Sequence, residues 1–180
     1  MNKAIFLDRD GVINQLVSRD GGKYSPRLVT DFQIFPYVPD AIKQIRETGY
    51  LVVVVTNQPD ISRGLLKPNV LDEMHQLLRA LCQVDAIYVC PHDDSDNCMC
   101  RKPLPGMLLQ AALDLSIDLE TSWIIGDRTS DIDAGLAAGV KTVFVTSGQD
   151  GVRPTGVLHS AEDLERATDF IISNSSLGTR

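Results

Sequence analysis

The chain has 180 residues, 43% of them hydrophobic and 23% charged, with a formal net charge of −7. That length supports one domain with its own core, and the acidic balance speaks against a nucleic-acid partner, whose phosphates call for a basic face. No stretch reaches the ~18 apolar residues of a membrane span, and the apolar run behind Lys3 ends at Leu7, too short for a secretory leader.

No membrane partner is therefore expected, and the expected location is the cytosol. There the four cysteines read as thiols, metal ligands or catalytic groups rather than as a disulfide framework.

Short apolar runs alternate with helical patterns along the chain. A first strand is expected over 4–7 and a helix over 39–48, with Pro39 at its start and Gly49 behind it. A second strand covers 51–56. The helix expected over 68–83 carries Val70, Leu71, Met74, Leu77, Leu78 and Leu81 as one stripe. Then follow a strand over 86–90, a helix over 105–116, a strand over 123–126, a helix over 130–138 stopped by Gly139, and a strand over 142–145. The last helix is expected to begin near Ser160, with Asp163 as a capping acid three residues on, and 174–180 read as a frayed tail. Most of the strands are rich in Val and Ile and lack polar alternation, as strands buried on both faces of a parallel sheet do. The fold class expected is a doubly wound α/β sheet, with residues 1–180 as one domain. Two connections, 13–37 and 91–104, are long for idle loops, yet neither can hold a large cap domain.

The first strand runs "IFLDRDG" into two aspartates, Asp8 and Asp10. Residues two apart on a strand share a face, so both can reach the carboxyl edge of the sheet, where such folds bind ligands. Two carboxylates so close repel, and a hard cation such as Mg²⁺ is the natural third party. Other strand ends add to them. The second strand closes on Thr56 and Asn57, and the fourth on Gly126 and Asp127, with Asp131 four residues later. Arg101 and Lys102 offer cations to an anion between these. Each alone has a plainer reading. The acids at 127 and 131 could cap a helix, and the Arg–Lys pair could be ordinary surface charge.

Together the motifs D-R-D-G-V, the strand-end Thr56, Lys102 and G-D-R-T-S-D resemble, in order and across most of the chain, those of the haloacid dehalogenase superfamily of phosphohydrolases. The resemblance implies a Rossmann-like fold and a set of roles. Asp8 would be the nucleophile that becomes an aspartyl phosphate, and Asp10 the general acid and then base. Thr56 and Lys102 would hold phosphoryl oxygens. Mg²⁺ would be bound by the Asp8 side chain, the Asp10 main-chain carbonyl and Asp127, with Asp131 in support. Asp10 would have to be protonated as the reaction begins, so a raised pKa is expected there.

A second constellation, Cys90, His92, Cys98 and Cys100, has the spacing C-x-H-x5-C-x-C. Four soft ligands in eleven residues fit a closed, structural, tetrahedral zinc site. The alternative is a set of free thiols. Zinc there would stiffen the loop that delivers Lys102, without itself being catalytic. Cys82 lies on a helical stripe and reads as core, and His75 and His159 as core or surface.

The segment C-P-H…C-x-C-R-K-P resembles two branches of the superfamily, one acting on a heptose bisphosphate and one on histidinol phosphate. T-N-Q…R-G and K-P-L-P-G-M-L resemble the heptose branch more. Pro59-Asp60 replaces the Ser-Gly usual after T-N-Q, and Arg128 stands where that branch commonly has lysine. By this resemblance Asn57, Gln58, Arg101 and Arg128 would contact a small phosphorylated substrate, a sugar bisphosphate, and the protein would be a monomer. Selectivity would come from the loops 15–37, 59–64 and 91–101. A reading of another class, a zinc-stabilised binding module without catalysis, would call for loss of a motif aspartate or of the lysine, and none is lost.

Overall fold

The computed structural model describes residues 1–146 and 153–175. Its centre is a six-stranded sheet in the order β5-β4-β1-β6-β7-β8, with every neighbouring pair parallel. The strands are β1 (Lys3–Leu7), β4 (Tyr50–Asn57), β5 (Ala86–Cys90), β6 (Trp123–Gly126), β7 (Lys141–Val145) and β8 (His159–Ala161); β2 (Val17–Arg19) and β3 (Gly22–Tyr24) form a separate antiparallel hairpin. The helices are α1 (Val38–Glu47), α2 (Pro68–Cys82), α3 (Gly106–Leu115), α4 (Thr129–Ala138) and α5 (Leu164–Ser175). No helix among the described residues is long and apolar enough to cross a membrane.

The strand pleat accounts for the continuous apolar runs. On β1, Ile5 and Leu7 point into one core with Ile42 and Ile45 of α1, Met74 and Leu78 of α2 and Ile171 of α5. Ala4 and Phe6 point into a second core with Leu108 and Ala111 of α3 and Ala134 of α4. Val52 and Val54 of β4 join the first, Val53 and Val55 the second. A strand buried on both faces can place no polar residue along its length, so polar chemistry is confined to its ends.

The chain passes from β1 outward through β4 and β5, then returns to lay β6 on the other side of β1. Such a reversal opens a crevice beyond the carboxyl ends of the central strands. Register fixes what fills it. Leu7 lies level with Val54 and with Ile125, so the residues just past them, Asp8, Thr56–Asn57 and Asp127, emerge together.

Three expectations change. The 13–37 connection carries the β2–β3 hairpin, whose turn residues Asp20 and Gly21 both have positive φ, 48° and 79°, the geometry of a tight hairpin turn with Asp-Gly at its centre. Ser160 does not open the last helix: it lies in edge strand β8, and the helix starts at Leu164, where the Asp163 side chain accepts from the Arg166 amide at 2.9 Å. Asp163 does cap the helix, but as the residue before its start rather than as the acid three residues into it. The expected frayed tail is corrected at Asn174 and Ser175, which are helical; 176–180 lie outside the described residues.

Candidate active site and metal centres

The crevice is a cavity of about 450 Å³ lined by the buried Asp8, Asp10, Gln58, Lys102 and Asp131 and by half-buried or exposed residues toward its mouth, among them Arg128 and members of the hairpin, Asp60–Arg63 and Asp94–Arg101. Lys102 reaches it from the loop after β5 and is 3% exposed. Its Nζ donates to Asp8 Oδ1 at 2.6 Å and to the Val55 carbonyl at 2.8 Å, and pairs with Asp131 Oδ1 at 2.5 Å. Asp131 accepts with its other oxygen from the Arg128 amide at 3.0 Å, so it caps α4 and orients the lysine at once.

Asp8, Asp127 and Asp131 bring carboxylate oxygens within 4.8 Å of one another. Burial, then the Asp8 and Asp131 charges, push Asp127 up to about 8. Burial pushes Asp8 up to about 6 although Lys102 pulls it down. The lysine is itself opposed by burial, but Asp131 and Asp8 hold its pKa above the usual range. Two of these buried acids, Asp8 and Asp131, pair with the one ammonium, and Asp127 stands beside them. This donor set, all hard oxygens and over-negative, fits a divalent cation such as Mg²⁺. Gly11 makes room for it: a Cβ there would lie 2.1 Å from Asp127 Oδ2, and its φ of +95° suits glycine alone.

Asp10 lies in the cavity wall, but its environment differs from the raised pKa expected. Burial works to raise it, and the Arg9 guanidinium with hydrogen bonds from Asn14 and Gln58 more than offsets that, leaving it below the usual carboxylate range. Arg9 Nη2 reaches both carboxylate oxygens, at 2.8 and 2.9 Å; Asn14 Nδ2 is at 2.9 Å and Gln58 Nε2 at 2.7 Å.

The other expected contacts are placed unevenly. Thr56, 1% exposed, is not part of the cavity lining, and its hydroxyl accepts from Gln58 Nε2 at 2.8 Å. Asn57 lines the cavity, but its amide is engaged on the Lys102 backbone, accepting from the nitrogen at 3.1 Å and donating to the carbonyl at 3.0 Å. It therefore anchors the lysine. Arg101 lines the mouth, with Nε on Asp94 at 2.5 Å and Nη1 on the His92 carbonyl at 3.3 Å. Arg9, Asn14 and Lys23 went unsingled in the sequence, where Asp60 stood out only as a departure from Ser-Gly and Arg63 only within the T-N-Q…R-G stretch. The hairpin that brings Lys23 was legible in "SRDGGKY". Nothing local announces Asp60, whose carboxylate binds Arg27 at 2.6 Å and Arg63 at 3.6 Å.

The second constellation is assembled too. Cys90 Sγ lies 3.2 Å from Cys100 Sγ and 3.6 Å from Cys98 Sγ, and His92 Nδ1 3.3 Å from Cys100 Sγ. No pair is bonded, since all four cysteines of the chain are free. Zn–S bonds of ~2.3 Å set tetrahedral sulfurs about 3.8 Å apart, so four soft donors at these spacings fit zinc. Cys82, by contrast, is buried in the core, where burial pushes its thiol up to about 11. His159 stacks on Phe170 at 3.8 Å, and His75 is buried against Arg9.

Comparison with known proteins gives the family. Residues 99–174 match the HAD-hydrolase-like family model. The D-glycero-beta-D-manno-heptose-1,7-bisphosphate 7-phosphatase of Yersinia pestis is 38% identical over 91% of this chain and 94% of its own, and that of Pseudomonas putida 41% identical over 82% and 84%. The chain belongs to this phosphatase family, within the HAD-like hydrolases. A D,D-heptose 1,7-bisphosphate phosphatase from B. bronchiseptica, solved with magnesium and phosphate, superposes with a TM-score of 0.83 at 33% identity, covering 96% of this chain and 99% of that one.

Proposed function

We propose that this protein is a Mg²⁺-dependent phosphomonoesterase that removes the 7-phosphate of D-glycero-β-D-manno-heptose 1,7-bisphosphate through an aspartyl phosphate on Asp8. The observation that carries the chemistry is the Asp8–Lys102–Asp131 cluster beside Asp127 at the switch point of the sheet. The relatives' activity supports the substrate, and the cationic rim formed by Arg101 and Arg128 suits a second phosphate.

In this reading an Asp8 carboxylate oxygen forms a bond to phosphorus as the bond to the sugar oxygen breaks. Asp10, which has to take up a proton against the pull of Arg9, Asn14 and Gln58 before it can act, gives that oxygen its proton, and the alcohol leaves. Asp10, now ionised, takes a proton from water as the water oxygen attacks phosphorus, and the Asp8 oxygen departs. The balance is ester plus water to alcohol plus phosphate. Lys102 offsets the repulsion between the Asp8 carboxylate and the phosphate dianion. Asp8, Asp127 and the Asp10 carbonyl would hold Mg²⁺, which supplies further charge neutralisation when bound. Thr56 would reach a phosphoryl oxygen through its hydroxyl hydrogen, since its oxygen already accepts from Gln58. Cys90, His92, Cys98 and Cys100 would hold a structural zinc.

The test is phosphate release from a panel of esters with and without metal. Chelator-treated protein is expected to be inactive and to recover with Mg²⁺, and Asp8→Asn to lose nearly all turnover. Full activity in that variant would refute the mechanism.

A further inference from the structure

Arg9 is the largest fully buried side chain of the molecule's described residues, at 0% exposure, and it sits between the two motif aspartates. Its guanidinium has a partner at each nitrogen. Nε and Nη2 engage the Asp10 carboxylate, at 3.2 Å and at 2.8 and 2.9 Å. Nη1 lies 3.3 Å from His75 Nε2, and the Phe32 ring centre is 5.4 Å from the guanidinium carbon. A guanidinium has no acceptor, so the contact with His75 fixes the imidazole: Nε2 offers its lone pair and the proton resides on Nδ1. His75 comes from α2, Phe32 from the turn after residues 29–31 and Asp10 from beyond β1, so three separate elements converge on one cation.

Such a buried cation is expensive unless paired and hydrogen-bonded, and the contacts are directional. The fork of an arginine holds a carboxylate in one plane, as a lysine cannot. Asn14 and Gln58 complete the grip on the same carboxylate. We propose that Arg9, backed by His75, is the positioning residue of the general acid, fixing the Asp10 carboxyl group at the cavity wall so that it meets the oxygen of the departing alcohol. This rests on the assignment of Asp10 as the acid.

Leaving-group dependence separates positioning from mere structural support. An alcohol needs a proton as it departs, whereas para-nitrophenol leaves readily without one. His75→Leu keeps an apolar filling beside Met74 and Leu78 but removes the acceptor behind Arg9. It is expected to lower the first-turnover rate of alcohol release from the heptose bisphosphate, or from any primary alkyl phosphate the wild type turns over, by about tenfold or more, since a misplaced acid forfeits part of the 10²–10⁴-fold it supplies. First-turnover release of para-nitrophenol, read before the water step in which Asp10 serves as base for either ester, should fall by no more than about threefold. His75→Gln, which returns an acceptor oxygen, should recover most of the alkyl-ester rate. Arg9→Lys should show the same preference for the aryl ester more strongly; if it does not fold, the His75 pair decides alone. Equal losses on both esters, or undiminished alkyl-ester turnover in folded His75→Leu, would overturn the proposal. Asp10→Asn run alongside identifies which idea fails: if it also lacks the leaving-group dependence, the general-acid assignment is wrong and the proposal falls with it, and if it alone shows the dependence, only the role of Arg9 and His75 is wrong.

Discussion

At the scale of single residues, the molecule is governed by buried charges that satisfy one another. Asp131 belongs to two arrangements, a helix cap and an ion pair, and each makes the other more specific. His75 shows how such a residue sets pH behaviour. Burial, then the Arg9 and Arg79 charges, press its pKa down to about 3, against about 6.5 in an unfolded chain. The folded-state value is the lower, so above about pH 6.5 neither state binds the proton. As the pH falls below that, the unfolded chain gains a proton that the folded one refuses, and stability drops by up to about 1.4 kcal/mol per pH unit until the folded value is reached. His75→Leu should therefore flatten the decline in unfolding free energy between about pH 6.5 and 5, where most carboxylates remain ionised. Denaturant titrations at a few pH values read this directly; parallel curves for variant and wild type would contradict it. His75 and Arg9 were not legible as partners in the sequence, because 66 positions separate them and only the fold brings α2 behind β1. The motif aspartates were legible because they sit together at a strand end, where chemistry is confined by the two-sided burial of the strand.

At the scale of elements, the loop between β5 and α3 matters most, because it turns a zinc-like cluster into the placement of a lysine. Cys90 ends β5, Asp93 caps the short turn at Asp94–Asp96, and Asn97 takes a left-handed φ of 47° before Cys98. The loop then packs onto the start of α3 so closely that a Cβ on Gly106 would lie 2.1 Å from the Met99 carbonyl oxygen. Structural zinc contributes roughly 10 kcal/mol or more in small domains that fold only with it. Here the first core holds none of the loop's residues, and the second meets it through Cys90, with Cys98 and Cys100 packed against it, so the effect should be centred on the loop. Cys98→Ser or removal of zinc is expected to raise amide exchange across 91–103 and to cost activity through Lys102, while the central strands stay protected. Elemental analysis without zinc, or exchange unchanged on chelation, would refute the site. Gly106→Ala should loosen the same loop with the cysteines intact. The cluster was readable from spacing, but the close approach at Gly106 was not, since it is a contact between backbone and helix start. Strand β8 was missed for a related reason. Its three residues, "HSA", are too few and too polar to show a pattern, and it is stabilised by pairing with β7.

At the scale of the whole molecule, an acidic chain presents a cavity rimmed by arginines, and selectivity must come from loops that meet there. Asp60 ties the segment after the hairpin to Arg63, and Arg63 grips Asp93 of the Cys–His loop at 2.5 and 2.6 Å, so the rim is linked across three segments. Arg101 is already paired with exposed Asp94. A second phosphate would displace that partner, giving up at most about 1 kcal/mol for a charge-assisted bond worth ~1.5–3 kcal/mol. Arg101→Ala should then lower kcat/KM on the bisphosphate by about tenfold, with little effect on para-nitrophenyl phosphate; equal losses would assign Arg101 to the reacting phosphate or to the loop. The departures at Pro59-Asp60 and Arg128 bear on this rim and leave the Asp8–Lys102 cluster untouched. Cleavage of one particular ester bond of the bisphosphate is read by phosphorus NMR of D-glycero-β-D-manno-heptose 1,7-bisphosphate incubated with the protein and Mg²⁺. Loss of the 7-phosphate signal, growth of inorganic phosphate and a persisting 1-phosphate are expected. Cleavage at the 1-position, or an untouched bisphosphate beside rapid hydrolysis of histidinol phosphate, would contradict that expectation.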